Sequence, residues 1–261
     1  MRIDRRTLLA AGLSPLFLPS IPLARATAMP PISTIELRQY TLKSGRRDTL
    51  IELFEREFVD PLNAAGAYVL GTFRDVDDPD RFVWLRGFET MDERAEALTT
   101  FYGGPVWAAH RSAANDTMVD SDNVLLLRAR DGQWERGGRS GNDRGFLTAT
   151  IYYLGNVDPT LFATFFDSAL MPQFTRLGAG PSATLVTEGS ANNFPRLPVR
   201  SNEPVFIWLA YWDDEHQADA FQSRFAAISG WRDRAPEAVL PALMRKPELL
   251  RLQSTSARRI G

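Results

Sequence analysis

Apolar and polar positions along the chain switch between a period of two and a period near 3.6, and each switch marks an element. IELRQYTL, residues 35–42, alternates and predicts a half-buried strand, ended by Lys43, Ser44 and Gly45. Over residues 47–65, Leu50, Leu53, Phe54, Phe58 and Leu62 recur at helical spacing. They predict an amphipathic helix closed by Gly66, with Pro61 kinking its last turn. Residues 68–76 and 81–89 read as an antiparallel hairpin around the turn Asp77-Asp78-Pro79-Asp80. A helix over 92–102 follows, N-capped by Thr90 or Asp92. Gly103 and Gly104 break it, Pro105 opens a further helical stretch to residue 114, and residues 123–130 form a fourth strand.

The same plan returns. FVWLRGFETMDERAEALTTFYGGPVW (82–107) and FIWLAYWDDEHQADAFQSRFAAISGW (206–231) place Trp84 with Trp208, Phe88 with Trp212, Phe101 with Phe225 and Trp107 with Trp231 at one constant offset. An internal period of this size decides the architecture. Residues 131–145, rich in Gly and charge, read as a linker. Beyond it, strands are expected at 146–154, 183–188, 205–212 and 249–254, with helices at 159–177, 214–228 and 230–243 and a long loop over 190–204. The class is α+β: two ferredoxin-like βαββαβ repeats, 33–130 and 146–255. Each such unit leaves one sheet face bare. Two in one chain cover both by closing into an intrachain α/β-barrel, a pseudo-dimer with helices outside.

Strand parity divides the side chains into two sets. Ile35, Leu37, Val83, Leu85 and Gly87 form a smooth aliphatic set suited to the helices. Glu36, Arg38, Tyr40, Phe82, Trp84, Arg86 and Phe88 form an aromatic and charged set assigned to the barrel interior, with Thr148, Thr150, Tyr152, Phe206, Trp208 and Trp212 in the second repeat.

Composition narrows the chemistry. The 261 residues are 44% hydrophobic with a net charge of −2, so neither nucleic acid nor an anionic membrane is an expected partner. The absence of Cys excludes disulfides, thiol nucleophiles and Cys-ligated zinc, and two His exclude a His-rich metal site. Residues 1–28 have the layout of an export signal. Arg5 and Arg6 precede an apolar run broken by Pro15, Pro19 and Pro22, and Ala26-Thr27-Ala28 is a small-residue cleavage site. The paired arginines suit a twin-arginine signal, with an ordinary Sec signal as the alternative. The expectation is a periplasmic or secreted bacterial protein without a stable membrane anchor.

IELRQYTLKSG at 35–45, Gly71, the Val83-Trp84 strand leading to Asp92-Glu93-Arg94, and Pro105-x-Trp107 together resemble the NIPSNAP domain, of the dimeric α/β-barrel superfamily. The resemblance covers 33–130 well and 146–255 more loosely. The second copy keeps the aromatics but lacks the Arg-x-Tyr-Thr-Leu strand and the Asp-Glu-Arg turn. It implies the barrel and little chemistry. The family has been linked to protein binding and to vesicle or mitochondrial roles. The superfamily includes cofactor-free oxygenases, haem peroxidases and decarboxylases, and chlorite-degrading enzymes.

The candidate ligand-binding residues are Glu36, Arg38, Tyr40, Trp84, Arg86, Tyr152 and Trp208. Buried charges are costly unless paired. The arginines therefore either hold a small anionic or aromatic ligand or build an internal Glu–Arg network closing the seam between repeats. His110, beside Trp107, is a weak catalytic candidate as general base or haem ligand; the competing reading is a surface histidine. His216 reads as part of a solvated acidic helix start, and Trp107 and Trp231 as packing anchors. Asp116, Asp120 and Asp122 lack the Gly and terminal Glu of a calcium loop and read as a turn into the fourth strand. No metal and no cofactor is expected. The leading expectation is an exported protein of undefined activity that binds a small molecule or partner through the barrel, with a homo-oligomer left open. The alternative is a cofactor-independent oxygenase or isomerase acting on a small aromatic substrate.

Overall fold

The computed structural model describes residues 31–130, 145–179, 182–228 and 230–255. The export signal expected at 1–28 and nearly all of the linker expected at 131–145 lie outside them. In the first half, β1 (Thr34–Leu42) leads into α1 (Arg47–Leu53), a π-helical turn (Phe54–Phe58) and α2 (Val59–Ala64). The hairpin β2 (Tyr68–Asp75) and β3 (Arg81–Phe88), α3 (Met91–Gly103), α4 (Pro105–Asn115) and β4 (Met118–Ala129) follow. In the second half, β5 (Phe146–Tyr153) precedes α5 (Pro159–Phe165), a second π-helical turn (Phe166–Leu170) and α6 (Met171–Arg176). Then come β6 (Ser182–Thr187), β7 (Val205–Trp212), α7 (Glu215–Ala226), two 3₁₀ turns, α8 (Leu240–Met244) and β8 (Glu248–Ser254).

Both first helices contain a proline where the sequence predicts a kink or a continuous helix. Instead, each carries a π-helical turn just ahead of it: 54–58 before Pro61 and 166–170 before Pro172. A proline has no N–H to give the carbonyl four residues back and crowds it, and the wider π-turn absorbs both defects without breaking the helix. Thr90 caps α3, its hydroxyl accepting from the Glu93 N–H. Glu93 reaches back to the Thr90 hydroxyl, a reciprocal pairing that fixes where this helix starts. The fourth strand starts earlier than predicted, so Asp120 and Asp122 lie within β4 rather than in a turn before it.

The eight strands close into one antiparallel barrel in the order β1-β3-β2-β8-β5-β7-β6-β4. Within each half the order is that of a βαββαβ unit, with β1 between β3 and β4 and β5 between β7 and β8. Long ladders hold each half together: β1 and β3 pair from Thr34↔Phe88 to Thr41↔Arg81, and β5 and β7 from Phe146↔Trp212 to Tyr153↔Val205. The two seams between halves are shorter, β2 to β8 over Phe73–Asp75 and β4 to β6 over Leu127–Ala129.

The parity sets are the predicted ones, but their faces are reversed. Tyr40, Phe82, Trp84 and Phe88 pack in one core with Phe54, Phe58, Leu98 and Phe101 of the helices. Tyr152, Phe206, Trp208 and Trp212 pack with Phe162, Phe166, Phe174 and Phe221 in another. The aliphatic set, including Ile35, Leu37, Leu85, Ile151, Ile207 and Leu252, is buried on the opposite faces, toward the barrel axis. The reason is space. An eight-stranded barrel is just wide enough for its own side chains to fill. Branched aliphatics interdigitate there, while indoles, phenyls and guanidiniums need the deeper layer between sheet and helices.

Candidate functional site

Of the predicted site residues, Glu36, Arg38, Tyr40, Trp84 and Arg86 come together, but in the layer between the first-half sheet and its helices rather than inside the barrel. The ladder explains why. Glu36 lies opposite Arg86, and Arg38 opposite Trp84, on adjacent strands. Cross-strand neighbours on one face are in side-chain contact. Arg94 of α3, which the sequence places in the Asp92-Glu93-Arg94 motif but not among the candidate ligand-binding residues, completes the group: fully buried, it reaches down onto Glu36.

Glu36 is the hub. Its Oε2 accepts from Arg38 Nη1 at 2.6 Å and from Arg86 Nε at 2.8 Å, and its Oε1 accepts from Arg94 Nε at 2.6 Å. Arg86 Nη2 also lies 2.7 Å from Oε2, without the alignment of a hydrogen bond. Burial alone would raise the Glu36 pKa, but Arg86, Arg38 and Arg94 pull it well below the ordinary carboxylate range, so it is an anion. Burial works against the charge on Arg38 as well. Tyr40 and Glu36 nonetheless hold its pKa above the usual guanidinium value. For Arg94 burial wins over Glu36 and lowers the pKa. The Tyr40 hydroxyl accepts from Arg38 Nε at 3.0 Å, and burial pushes the phenol up, so it is neutral at pH 7.

Aromatic faces hold the guanidiniums. Arg38 sits 5.5 Å from the Tyr40 ring and 5.7 Å from Trp84, while Arg86 sits 5.2 Å from Trp84 and 5.5 Å from Phe88. A loop from the second half covers the group. Arg94 Nη1 donates to Asn193 Oδ1 at 2.6 Å and to Asn192 Oδ1 at 3.1 Å. Asn193 in turn donates to the Met91 carbonyl, and Phe194 stacks on Tyr102.

Not every donor is used. Among the described residues, the buried groups without a hydrogen-bond partner include Arg86 Nη1, Arg94 Nη2 and Trp84 Nε1 in this layer, and both the amide nitrogen and oxygen of Gln39 on the opposite face of β1. The indole is not informative, because Trp208 Nε1 is equally unpartnered in the second half. The guanidinium nitrogens are different. A buried, unpaired N–H on a cation that cannot deprotonate is an unusual expense.

The second half shows what this layer looks like without charge. By ladder register, Thr148 stands where Glu36 does, Thr150 where Arg38 does, Ala210 where Arg86 does and Trp208 where Trp84 does. Ala218, four residues past the α7 N-cap, matches Arg94, four residues past the α3 N-cap. Here Trp212 Nε1 donates to the Thr148 hydroxyl at 2.9 Å, and Trp208 packs in a tilted arrangement against Phe174 with ring centroids 4.3 Å apart. Tyr152 and Trp208 therefore belong to a separate aromatic core and do not join the first-half group.

His110 does not join it either. On α4 it is part-exposed, its Nε2 3.4 Å from Glu57 Oε2 and its ring edge-on to Phe58. His216 lies exposed in the first turn of α7, and Trp107 packs on Phe58, Phe101 and Tyr102. Among the described residues no cluster of three or more His, Asp or Glu is arranged to hold a metal ion, and no helix is long and apolar enough to cross a membrane.

Solved structures similar to this chain include a candidate monooxygenase, an anthrone oxidase-like protein and NIPSNAP family proteins. A candidate monooxygenase of Lactobacillus acidophilus matches with 9% identity over 85% of this chain and 94% of that one, at a TM-score of 0.52. An anthrone oxidase-like protein matches with 14% identity over 88% and 95%, at a TM-score of 0.54. A NIPSNAP family protein of unknown function from Agrobacterium tumefaciens has 19% identity, covering 40% of this chain and 92% of that one, at a TM-score of 0.36. No protein-family model and no curated protein matches the chain. At these identities the likeness is one of fold.

Proposed function

We propose that the first-half layer around Glu36, Arg38, Arg86 and Arg94 binds a small anionic ligand, and that the second half serves as its scaffold and cover. The observation that carries this reading is the pair of fully buried guanidinium nitrogens, Arg86 Nη1 and Arg94 Nη2, to which no group among the described residues offers a hydrogen-bond acceptor. A charged network required merely to build the fold would be needed in both halves, yet the register-equivalent positions of the second are Thr148, Thr150, Ala210 and Ala218. Glu36 then acts as the internal counter-charge that holds three arginines in one place. The test is thermal unfolding of the purified chain titrated with benzoate and phthalate at constant ionic strength. A rise in Tm that disappears in Arg86→Ala, with circular dichroism unchanged, supports the site. An equal rise in that variant would sink it.

A second reading rests on the same donors. Fixed guanidiniums beside Trp84 and Phe88 would stabilise negative charge developing on an oxygen of an aromatic substrate, which is what a cofactor-independent oxygenase or isomerase requires. The monooxygenase and anthrone oxidase-like descriptions of two solved structures of similar fold are a reason to test it. Oxygen uptake with enolisable phenols, absent in Arg86→Ala, would favour it; substrate binding without turnover leaves the binding reading alone. We also read residues 1–28 as a leader for export, on the paired Arg5 and Arg6 ahead of the apolar run, and the two halves as a duplication.

A further inference from the structure

We infer that the ligand of the first-half site is a divalent oxyanion, an inference that rests on the binding reading above and names its chemical class. The count of charges is the basis. Three guanidiniums, those of Arg38, Arg86 and Arg94, surround one carboxylate, that of Glu36, and each of the four residues is at most 1% exposed. Among the described residues, Glu36 is the carboxylate that forms ion pairs with Arg38, Arg86 and Arg94. Tyr40 is held neutral by burial.

Two positive charges remain in excess. Guanidinium does not shed its proton to relieve them, and ions out of water without counter-charge are costly. A monoanion would leave one charge unbalanced, whereas a dianion neutralises the layer. The unused donors are on two different arginines, one on β3 and one on α3, which is one guanidinium for each of two charged oxygens. The remaining nitrogens of Arg94 are taken, Nε by Glu36 and Nη1 by Asn192 and Asn193, which leaves Nη2 as its free donor. Dicarboxylates and hydrogen phosphate share this chemistry.

The test is isothermal titration of the purified chain at pH 8 and fixed ionic strength with matched probes: phthalate against benzoate, succinate against butyrate, and hydrogen phosphate. The expected result is that a dianion binds about tenfold or more tightly than its monoanionic partner. Whichever of the dicarboxylates and phosphate binds more tightly identifies the source of the two charges. In Arg94→Ala the preference should vanish, with dianion and monoanion binding alike. Should Arg94→Ala fail to fold, the combined variant Glu36→Thr/Arg38→Thr/Arg86→Ala/Arg94→Ala, which copies the second half, should fold and bind no probe. Equal binding of both members of each pair by the parent chain overturns the dianion assignment and leaves the anion site standing. Absence of binding by every probe, or undiminished binding by the combined variant, overturns the site itself.

Discussion

Replacing Glu36 by Gln removes one charge and almost no volume, and it strikes the hub of the buried network. Three guanidinium nitrogens at 2.6, 2.8 and 2.6 Å would lose their counter-charge, and the new amide group would point donors at donors. Removing one member of a buried ion network typically costs about 3–5 kcal/mol, because the remaining charges stay in a dry layer. For a chain of this size each kcal/mol lowers Tm by roughly 2–4 °C, so the expected fall is about 6–20 °C. Thermal unfolding followed by tryptophan fluorescence measures the fall, and urea unfolding measures the free energy. The companion variant is the fourfold Thr/Thr/Ala/Ala replacement, which removes every charge together. Eliminating a whole buried network is often neutral, so this variant should lie within about 2 kcal/mol of the parent. Acid adds a second check. The folded Glu36 carboxyl titrates well below its unfolded value, so its stabilisation is full above the ordinary carboxylate range and is lost as pH falls through that range toward the folded pKa. Glu36→Gln should lack that acid limb. A loss below about 1 kcal/mol for Glu36→Gln, or an equal loss in the fourfold variant, would refute the picture of a dry, charge-coupled layer.

Two further changes probe the packing. Trp212→Phe breaks the buried bond to the Thr148 hydroxyl and should cost about 1–3 kcal/mol, whereas Trp208→Phe, whose indole N–H is unpartnered, gives up packing but no hydrogen bond; the difference between their urea midpoints is the readout. Gly87→Ala places a methyl 2.5 Å from Ile32 Cγ2 on the inward face of β3 and should lower stability by about 1–3 kcal/mol, and an unchanged Tm would show that Ile32 moves aside freely.

Strand alternation and helical spacing made the element order readable, and the recurring aromatics made the closed barrel expected. Which parity set faced inward was not readable. Period-two alternation separates two sets but carries no sign, and placing charge and aromatics at the axis ignored how little room eight strands leave there. Glu36, Arg38, Tyr40, Trp84 and Arg86 were nonetheless grouped correctly, because they share one face of adjacent strands whichever way that face points. Arg94 is visible in the Asp92-Glu93-Arg94 motif but not as a site residue, because a cation in a polar first helical turn looks solvated. The signal for its burial is Ala218, a small apolar residue at the matching position of the second half, where that motif is missing. Asn192 and Asn193 lie in a loop whose path no periodicity encodes. The π-helical turns likewise depend on how the backbone resolves a proline, not on side-chain pattern.

Carrying both halves on one polypeptide frees the barrel from symmetry. When two identical subunits close such a barrel, any substitution enters both helix–sheet layers at once, so a charge tolerated for its use in one must also be borne in the other. Here the layers can diverge. One retains an apolar, hydrogen-bonded interior that contributes stability, and the other can hold a costly set of like charges against it. The loop that brings Asn192, Asn193 and Phe194 across is then free to be long on one side only, since its counterpart between β2 and β3 is a tight turn. Asymmetry of this kind lets one layer keep its apolar packing while the other changes its charged residues independently.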